Sequence, residues 1–387
     1  MYQFLIAFVL CTCSFLHAQT VKWKPKIEMG GQLFPAYLLA TATADLFDTS
    51  QPTPFWLGDP NGMLGIEINN PSKDSKIKLE IRMPQLTDGV SVFEGVLNKK
   101  GEDYLIFPDI KYNYEALSNV LQPKPVNATF TLFVNGKRMG EQTKRVAVRA
   151  LSDCPYAFTN LDGQEEDISW MFAAFVNENH PVVDQILKEA LATKLVGSIS
   201  GYQASDPNDV YKQVFAIWTV FQNKGIKYSS ISRASGESEN VASQTVRPMS
   251  ESLKAVQANC VDGSVLFASV LRKIEIDPFL VLVPGHCFLG FYLDAEHKDF
   301  EVLETTMLGE TDYEKTNKDA DDLYKDLFRT NTTFIKNWRT FSAAIQSAND
   351  TYQENKAQLE NEKNTDTQFQ FIDIDDWRKI GVVPISR

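Results

Sequence analysis

Asn259-Cys260-Val261-Asp262-Gly263-Ser264 begins the segment from which the fold of the second half of the chain can be predicted. The apolar residues that follow recur at helical spacing, and they are Val261, Val265, Leu266, Ala268 and Leu271. The pattern therefore predicts an amphipathic helix that begins at Cys260. Two apolar strands should follow, at residues 279–283 and 286–293, joined by the turn Pro284-Gly285, with a third strand at residues 300–303.

Cys260 and His286 are candidates for a nucleophile and its base. A thiol in the first turn of a helix lies near the positive end of the helix dipole, which favours the thiolate. A neighbouring imidazole lowers the pKa of such a thiol further, and the thiolate can attack an amide or ester carbonyl. His286 is the leading partner because the chain has only four histidines, of which His17 lies in a predicted leader. This pattern indicates acyl-transfer chemistry.

Such an attack also needs hydrogen-bond donors for the oxyanion that forms. The backbone N–H of Cys260 is one candidate donor. Asn259 and Gln257 are nearby candidates for the second, and the sequence does not decide between them.

A third group must accept the second N–H of the imidazole, and the candidates are Asp294, Glu301 and Glu304, which all follow His286. Asp294 lies eight residues along the predicted strand, about 26 Å away if extended, so it is too far unless the chain folds back. Glu301 and Glu304 lie on the next strand, where an odd separation directs their side chains to opposite faces. Only one of these two glutamates can therefore serve.

Four motifs in this region together resemble the transglutaminase-like superfamily. They are Asn259-Cys260-Val261-Asp262, Leu271-Arg272-Lys273-Ile274-Glu275-Ile276, Pro284-Gly285-His286 and Phe300-Glu301-Val302-Leu303-Glu304-Thr305-Thr306. The resemblance covers about residues 205–308. It implies a papain-like arrangement of helix and sheet, with Cys260 as nucleophile, His286 as base and Glu304 as orienting acid. Glu304 stands where that family usually has Asp, and Glu275 where Gly is common.

Zinc binding is the alternative interpretation of the cysteines and histidines. Cys260, His286, Cys287 and His297 are ligand types, but no two cysteines have the spacing of a structural zinc site. With Cys154, three cysteines follow the predicted leader, so at least one thiol should be free. We expect no metal and no cofactor, because no P-loop, HExxH or EF-hand motif occurs.

Residues 19–150 are predicted to form an antiparallel, immunoglobulin-like β-sandwich. Residues 64–68, 76–83 and 143–149 alternate between apolar and polar side chains, as strands with one solvated face do. Asn135-Gly136 indicates a tight hairpin. Nothing in this domain indicates chemistry, so a spacer or docking role is expected.

The remaining chain divides into two further parts, which makes the predicted fold class α+β. Residues 151–310 should form the transglutaminase-like domain, with helices at about 168–175, 182–195 and 209–223. Residues 229–250 are polar and without periodicity, so they are predicted to be a surface loop, with a possible role as a lid. Residues 311–387 should form a helical extension whose terminal strand, within 369–374, returns to the core.

The chain's length, charge and N-terminus limit its partners and location. Its 387 residues suffice for two or three domains, and its net charge of −12 argues against a nucleic-acid partner. Residues 1–18 resemble a secretory signal peptide, although they lack Lys and Arg. A retained membrane anchor and a lipidated Cys13 are the alternatives. The family resemblance then implies a periplasmic or cell-envelope location, with possible envelope association through the N-terminal domain.

The function predicted from these patterns is hydrolysis of a peptide or isopeptide bond through a thioester on Cys260. The expected partner is a peptide or protein substrate. Water is the default acceptor, because no amine-binding site can be identified. Two alternatives remain: a catalytically silent binding or scaffold protein of the cell envelope, and an adhesion protein that relies on its β-rich domain. The substitution of Glu304 for the usual Asp leaves the first of these open.

Overall fold

A computed structural model describes residues 21–44, 46, 55–59, 62–204, 207–230, 238–310, 332–361 and 366–385. Helices and strands are present in similar amounts, which confirms the predicted α+β class. The predicted signal peptide lies outside the described residues, as do residues 311–331, 362–365 and 386–387 of the predicted extension. No helix in the described ranges is both long enough and apolar enough to cross a membrane.

The elements are numbered in chain order. The strands are β1 (Trp23–Ile27), β2 (Gln32–Leu33), β3 (Trp56–Gly58), β4 (Leu64–Asn69), β5 (Ser75–Arg82), β6 (Val90–Leu97), β7 (Asp103–Phe107), β8 (Lys124–Val134), β9 (Lys137–Val148), β10 (Asp153–Thr159), β11 (Glu165–Asp167), β12 (Lys227–Tyr228), β13 (Val241–Thr245), β14 (Gln257–Ala258), β15 (Pro278–Val283), β16 (His286–Tyr292), β17 (Phe300–Leu303) and β18 (Gln370–Asp373). The α-helices are α1 (Glu28–Gly31), α2 (Pro35–Ala40), α3 (Tyr114–Ser118), α4 (Pro181–Ala192), α5 (Pro207–Asn223), α6 (Met249–Ala255), α7 (Cys260–Lys273), α8 (Thr332–Leu359) and α9 (Ile374–Lys379). Short 3-10 helices lie at Ser169–Phe175, Gly201–Ala204 and Thr305–Met307.

Two sheets make up most of the N-terminal part. One has the strand order β2-β9-β8-β5-β6 and the other β1-β4-β7-β3. The hairpin predicted at Asn135-Gly136 is confirmed: it joins β8 to β9, and both residues have the positive φ that such turns require. Strands β4 and β5 follow each other in the chain but belong to different sheets, and buried side chains of both sheets share one hydrophobic core.

The second half is built around an antiparallel sheet with the order β17-β16-β15-β18. Alternate residues of this sheet enter two different apolar clusters. Leu280, Leu289 and Phe291 pack in the main core that includes α7, whereas Val281 and Phe288 pack against Ala348 and Tyr352 of α8. The sheet is thus covered on both faces. Because side chains on both faces are buried, its strands have continuous apolar sequences instead of alternating ones.

The prediction of a surface loop over residues 229–250 is wrong for part of that segment. Residues 241–245 form β13, which pairs antiparallel with β10, while residues 231–237 lie outside the described residues. Val241 and Ser243 are buried. Because β10 supplies the hydrogen-bond partners from far away in sequence, the local polarity of this segment did not reveal the strand.

Candidate active site

A reciprocal cap fixes the start of α7. The Asn259 side-chain oxygen accepts the backbone N–H of Asp262 at 2.7 Å, and the Asp262 carboxylate accepts the backbone N–H of Asn259 at 3.1 Å. Asp262 is buried and also accepts the backbone N–H of Arg247 at 2.8 Å. Burial raises the pKa of Asp262, against the effect of these hydrogen bonds. The cap leaves Cys260 as the first helical residue, where backbone N–H groups are unpaired.

His286 is positioned by a tight turn between two strands. It is the first residue of β16 and pairs with Val283, the last residue of β15. The two connecting residues are Pro284 and Gly285, and Gly285 has a φ of +73°, in the left-handed region that glycine occupies without strain. The imidazole therefore lies at the edge of the sheet, with its side chain 28% exposed.

Glu304 lies directly after β17 and holds the ring of His286. Nε2 of His286 lies 2.6 Å from one carboxylate oxygen of Glu304. The other oxygen accepts the backbone N–H of Thr306 at 3.0 Å and its hydroxyl at 2.6 Å. Glu304 is only 5% exposed. Burial opposes ionisation, but the hydrogen bonds from His286 and Thr306 outweigh it and lower the pKa of the carboxyl.

Cys260 interacts with the same ring. The Cys260 thiol and the Glu304 carboxylate, in that order, raise the pKa of His286 to about 10, and burial only partly opposes them. Because Nε2 faces Glu304, the other ring nitrogen is left for the sulfur. The structure thus places the Cys260 thiol and the Glu304 carboxylate beside the same imidazole.

The two other carboxylates considered for this role lie elsewhere. Glu301 is directed toward α8, where its carboxylate accepts a hydrogen bond from Asn349 at 3.1 Å. The carboxylate of Asp294 accepts three backbone N–H groups of the turn that follows β16. Of the three alternatives that the strand pattern left open, only Glu304 contacts His286.

The oxyanion candidates have different roles. Asn259 uses its side-chain oxygen in the helix cap, and Gln257 is exposed, with no side-chain hydrogen bond among the described residues. The Tyr228 hydroxyl is a further candidate donor, which the sequence pattern did not indicate. Tyr228 pairs with Ala258 across β12 and β14, and burial together with the charges of Cys260 and Glu304 raises its pKa. The only available signal was its position within the stretch that resembles the transglutaminase-like superfamily.

A close contact ties the carboxylate segment to the nucleophile helix. Thr305 follows Glu304, and its hydroxyl lies 3.5 Å from the carbonyl oxygen of Cys260. This approach depends on Gly263, since a Cβ there would lie only 2.6 Å from the Thr305 hydroxyl oxygen and 3.0 Å from its Cβ. A glycine one turn along the helix therefore allows the two elements to meet.

Cys260 and His286 open into a cleft of about 680 Å³. The cleft is also lined by Tyr156 and Phe172 together with Glu165, Asp167 and Asp366, and no lysine or arginine occurs among the described lining residues. The volume is in the range of small-ligand and peptide-side-chain sites. The cleft gives a substrate access to the sulfur.

Of the two other residues of the zinc alternative, His297 lies away from this site, whereas Cys287 lines the same cleft. His297 lies 2.9 Å from Asp277 and stacks on Tyr292. Cys287 is buried and contacts Ser264, and burial raises its pKa well above the ordinary value. Within the described part of the chain, no group of three or more His, Cys, Asp or Glu residues has an arrangement that could hold a metal ion.

Neither a comparison with known protein families nor a search of the curated proteins finds a match for this chain.

Proposed function

We propose that this chain is a transglutaminase-like cysteine acyl-transfer enzyme that hydrolyses a peptide or isopeptide bond. The observation that carries the proposal is that one imidazole, His286, is hydrogen-bonded to a buried carboxylate and lines the same cleft as the Cys260 thiol, whose effect raises the pKa of the imidazole. The order of helix, strand and strand that supplies Cys260, His286 and Glu304 agrees with the family resemblance.

The reaction begins when the Cys260 thiolate attacks the substrate carbonyl carbon and a C–S bond forms. The oxyanion of the tetrahedral intermediate accepts the backbone N–H of Cys260, with Tyr228 as candidate second donor. The C–N bond then breaks as the His286 imidazolium gives its proton to the leaving amine. Water attacks the thioester, His286 takes its proton, and the C–S bond breaks to release the carboxylic acid.

The proposal extends to the architecture and the location of the protein. We propose that residues 19–150 form an immunoglobulin-like sandwich, residues 151–310 a papain-like domain and residues 311–387 an extension. The two N-terminal sheets support the first, and the packing of α7 on the β15–β17 sheet supports the second. Export to the periplasm or cell envelope depends on residues 1–18.

Alkylation of the native protein by iodoacetamide tests the activated thiol. We expect Cys260 to react at pH 6–7 much faster than an ordinary thiol of pKa about 8.5, because His286 stabilises the thiolate. Cys154 and Cys287 are buried and serve as internal references. His286→Ala should slow the reaction at least about tenfold at pH 7.

The matched control is His297→Ala, because His297 is also paired with a carboxylate but lies in a different turn. It should leave the rate at Cys260 unchanged. A nitrophenyl ester should transfer its acyl group to Cys260, which intact-protein mass spectrometry detects. Ordinary alkylation and no acylation would instead support the catalytically silent scaffold.

A further inference from the structure

A second cavity, of about 450 Å³, lies apart from the cleft of Cys260. The two cavities occupy opposite sides of β11: Glu165 lines the cleft, Glu166 lines the second cavity, and Asp167 borders both. The volume suits one small molecule or one long side chain of a peptide. Nothing in the proposed reaction uses this cavity.

The walls of the second cavity are aromatic. Trp170 and Trp377 stack on each other with ring centroids 4.9 Å apart, and Tyr37 lies 6.1 Å from Trp170. Trp56 completes this set, and its Nε1–H is buried without a hydrogen-bond partner among the described residues. Aromatic faces attract cations through the ring quadrupole, and an unpartnered N–H can donate to a carbonyl.

A buried carboxylate lies in the same cavity. Glu28 is only 6% exposed, and its Oε2 is buried without a hydrogen-bond partner in the described part of the chain. Lys26, whose charge acts on Glu28, is itself bonded to Glu67 at 2.8 Å. Asp162 and Glu166 also line the cavity, and no lysine, arginine or histidine does so among the described residues. An unpaired buried carboxylate is costly unless a cation or a proton neutralises it.

We propose that this cavity binds an organic cation, namely the ammonium or guanidinium group of a lysine or arginine residue in a peptide. Aromatic faces would hold the alkyl chain and the charge, Glu28 would pair with the charge, and the Trp56 N–H would donate to a peptide carbonyl. Burial, with the charges of Asp162 and Glu166, raises the pKa of Glu28 to about 7, so binding should strengthen as the pH rises through that value.

Calorimetric titration of the full chain with N-acetyl-arginine methylamide tests the site. The matched ligand is N-acetyl-citrulline methylamide, which has nearly the same shape and no charge. We expect the arginine derivative to bind at least about tenfold more tightly at low salt, and N-acetyl-lysine methylamide to behave like it. Equal binding of the arginine and citrulline compounds, or no binding of either, overturns the proposal.

Substitutions in the second cavity test whether the arginine derivative binds there. Glu28→Gln keeps the shape and removes the charge, so the affinity for the arginine derivative should fall at least about tenfold. Asp162→Asn, at an exposed position, should weaken binding by a smaller factor and covers the case in which the first variant fails to fold. Glu115→Gln in α3 is the control and should have no effect. Unchanged affinity in both cavity variants overturns the proposal, as does preferential binding of a neutral disaccharide.

This site does not depend on the chemistry of Cys260. Cys260→Ala should bind the arginine derivative as the unmodified protein does. Binding by a chain that shows no acyl transfer would therefore contradict the proposed function and leave the cation site intact, whereas the reverse result would contradict only the cation site.

Discussion

His286 interacts with the Cys260 thiol and with the Glu304 carboxylate. The carboxylate can be substituted without removing the nucleophile. Glu304→Gln keeps the shape of the side chain but replaces the charge that accepts from Nε2 at 2.6 Å. We expect the pKa of His286 to fall well below its value of about 10, because an opposite charge at hydrogen-bonding distance favours the protonated ring. Titration of the imidazole proton signals by NMR measures this change.

The same substitution has a consequence for stability, and its sign follows from proton linkage. The folded-state pKa of His286 lies above the ordinary value of 6.5. Its contribution to the free energy of unfolding is therefore complete below pH 6.5 and is lost as the pH rises through about 10. Urea unfolding measures the free energy of unfolding at pH 6 and at pH 10. Its decrease between these two pH values should be smaller in Glu304→Gln than in the unmodified protein by about 1–2 kcal/mol.

Glu301→Gln is the control for both measurements. Glu301 lies on β17, three residues before Glu304, but contacts Asn349 of α8 instead of the ring. It should leave the titration of His286 unchanged. Equal effects of the two substitutions would mean that the pKa of His286 is raised by general charge and not by the contact with Glu304.

The meeting of α7 with the segment after β17 depends on Gly263. In Gly263→Ala the new Cβ would lie 2.6 Å from the Thr305 hydroxyl oxygen, so Thr305 must move and Glu304 with it. We expect slower alkylation of Cys260 at pH 7 by at least about threefold, together with a loss of about 1–3 kcal/mol in the free energy of unfolding. Kinetic alkylation and urea unfolding provide the two values.

Gly197→Ala is the matched control, because Gly197 is exposed and nothing lies within 4 Å of a Cβ there. It should change neither quantity by a measurable amount. If Gly263→Ala lowered stability but left the alkylation rate intact, the contact with Thr305 would matter for folding and not for the site.

The elements around the site were largely predictable because their signals are local. Apolar residues show the pattern expected for a helix at Cys260 and for strands on either side of Pro284-Gly285 and within 369–374. The structure has α7, β15, β16 and β18 at these places. The helix predicted at about 168–175 is instead a 3-10 helix, Ser169–Phe175. Helical spacing of apolar residues does not separate the two geometries over so few turns.

What the sequence could not decide depends on long-range contacts. The odd separation of Glu301 and Glu304 showed that only one of them can face His286. The choice between them depends on the register of β16 with β17 and on α8, which binds Glu301. Strand β13 depends on pairing with β10 in the same way. Tyr228 is brought beside the site by pairing of β12 with β14, again between distant segments.

The described residues share one main hydrophobic core that extends from Met29 near the N-terminus to Val382 near the C-terminus. Cys154 of β10 and Cys287 of β16 are both buried in it. We expect the parts that share this core to unfold together, because no part can expose its share without the others losing contacts. Helix α8 belongs to this core through Trp338 and also accepts the backbone N–H of Glu304 on the carbonyl of Ala344 at 3.1 Å.

A substitution in the buried face of α8 should therefore lower the stability of every part of the molecule that shares this core. Trp338 is fully buried against Phe215 and Phe341, so Trp338→Ala should lower the free energy of unfolding by about 3–5 kcal/mol. Pulsed thiol labelling in increasing urea should show Cys154 and Cys287 becoming reactive at the same, lower midpoint. The exposed neighbour Arg339→Ala should stay within about 0.5 kcal/mol of the unmodified protein. If the midpoint for Cys287 fell while that for Cys154 stayed, the β11-β10-β13 sheet that carries Cys154 would unfold independently of the sheet that carries Cys287, despite the shared core.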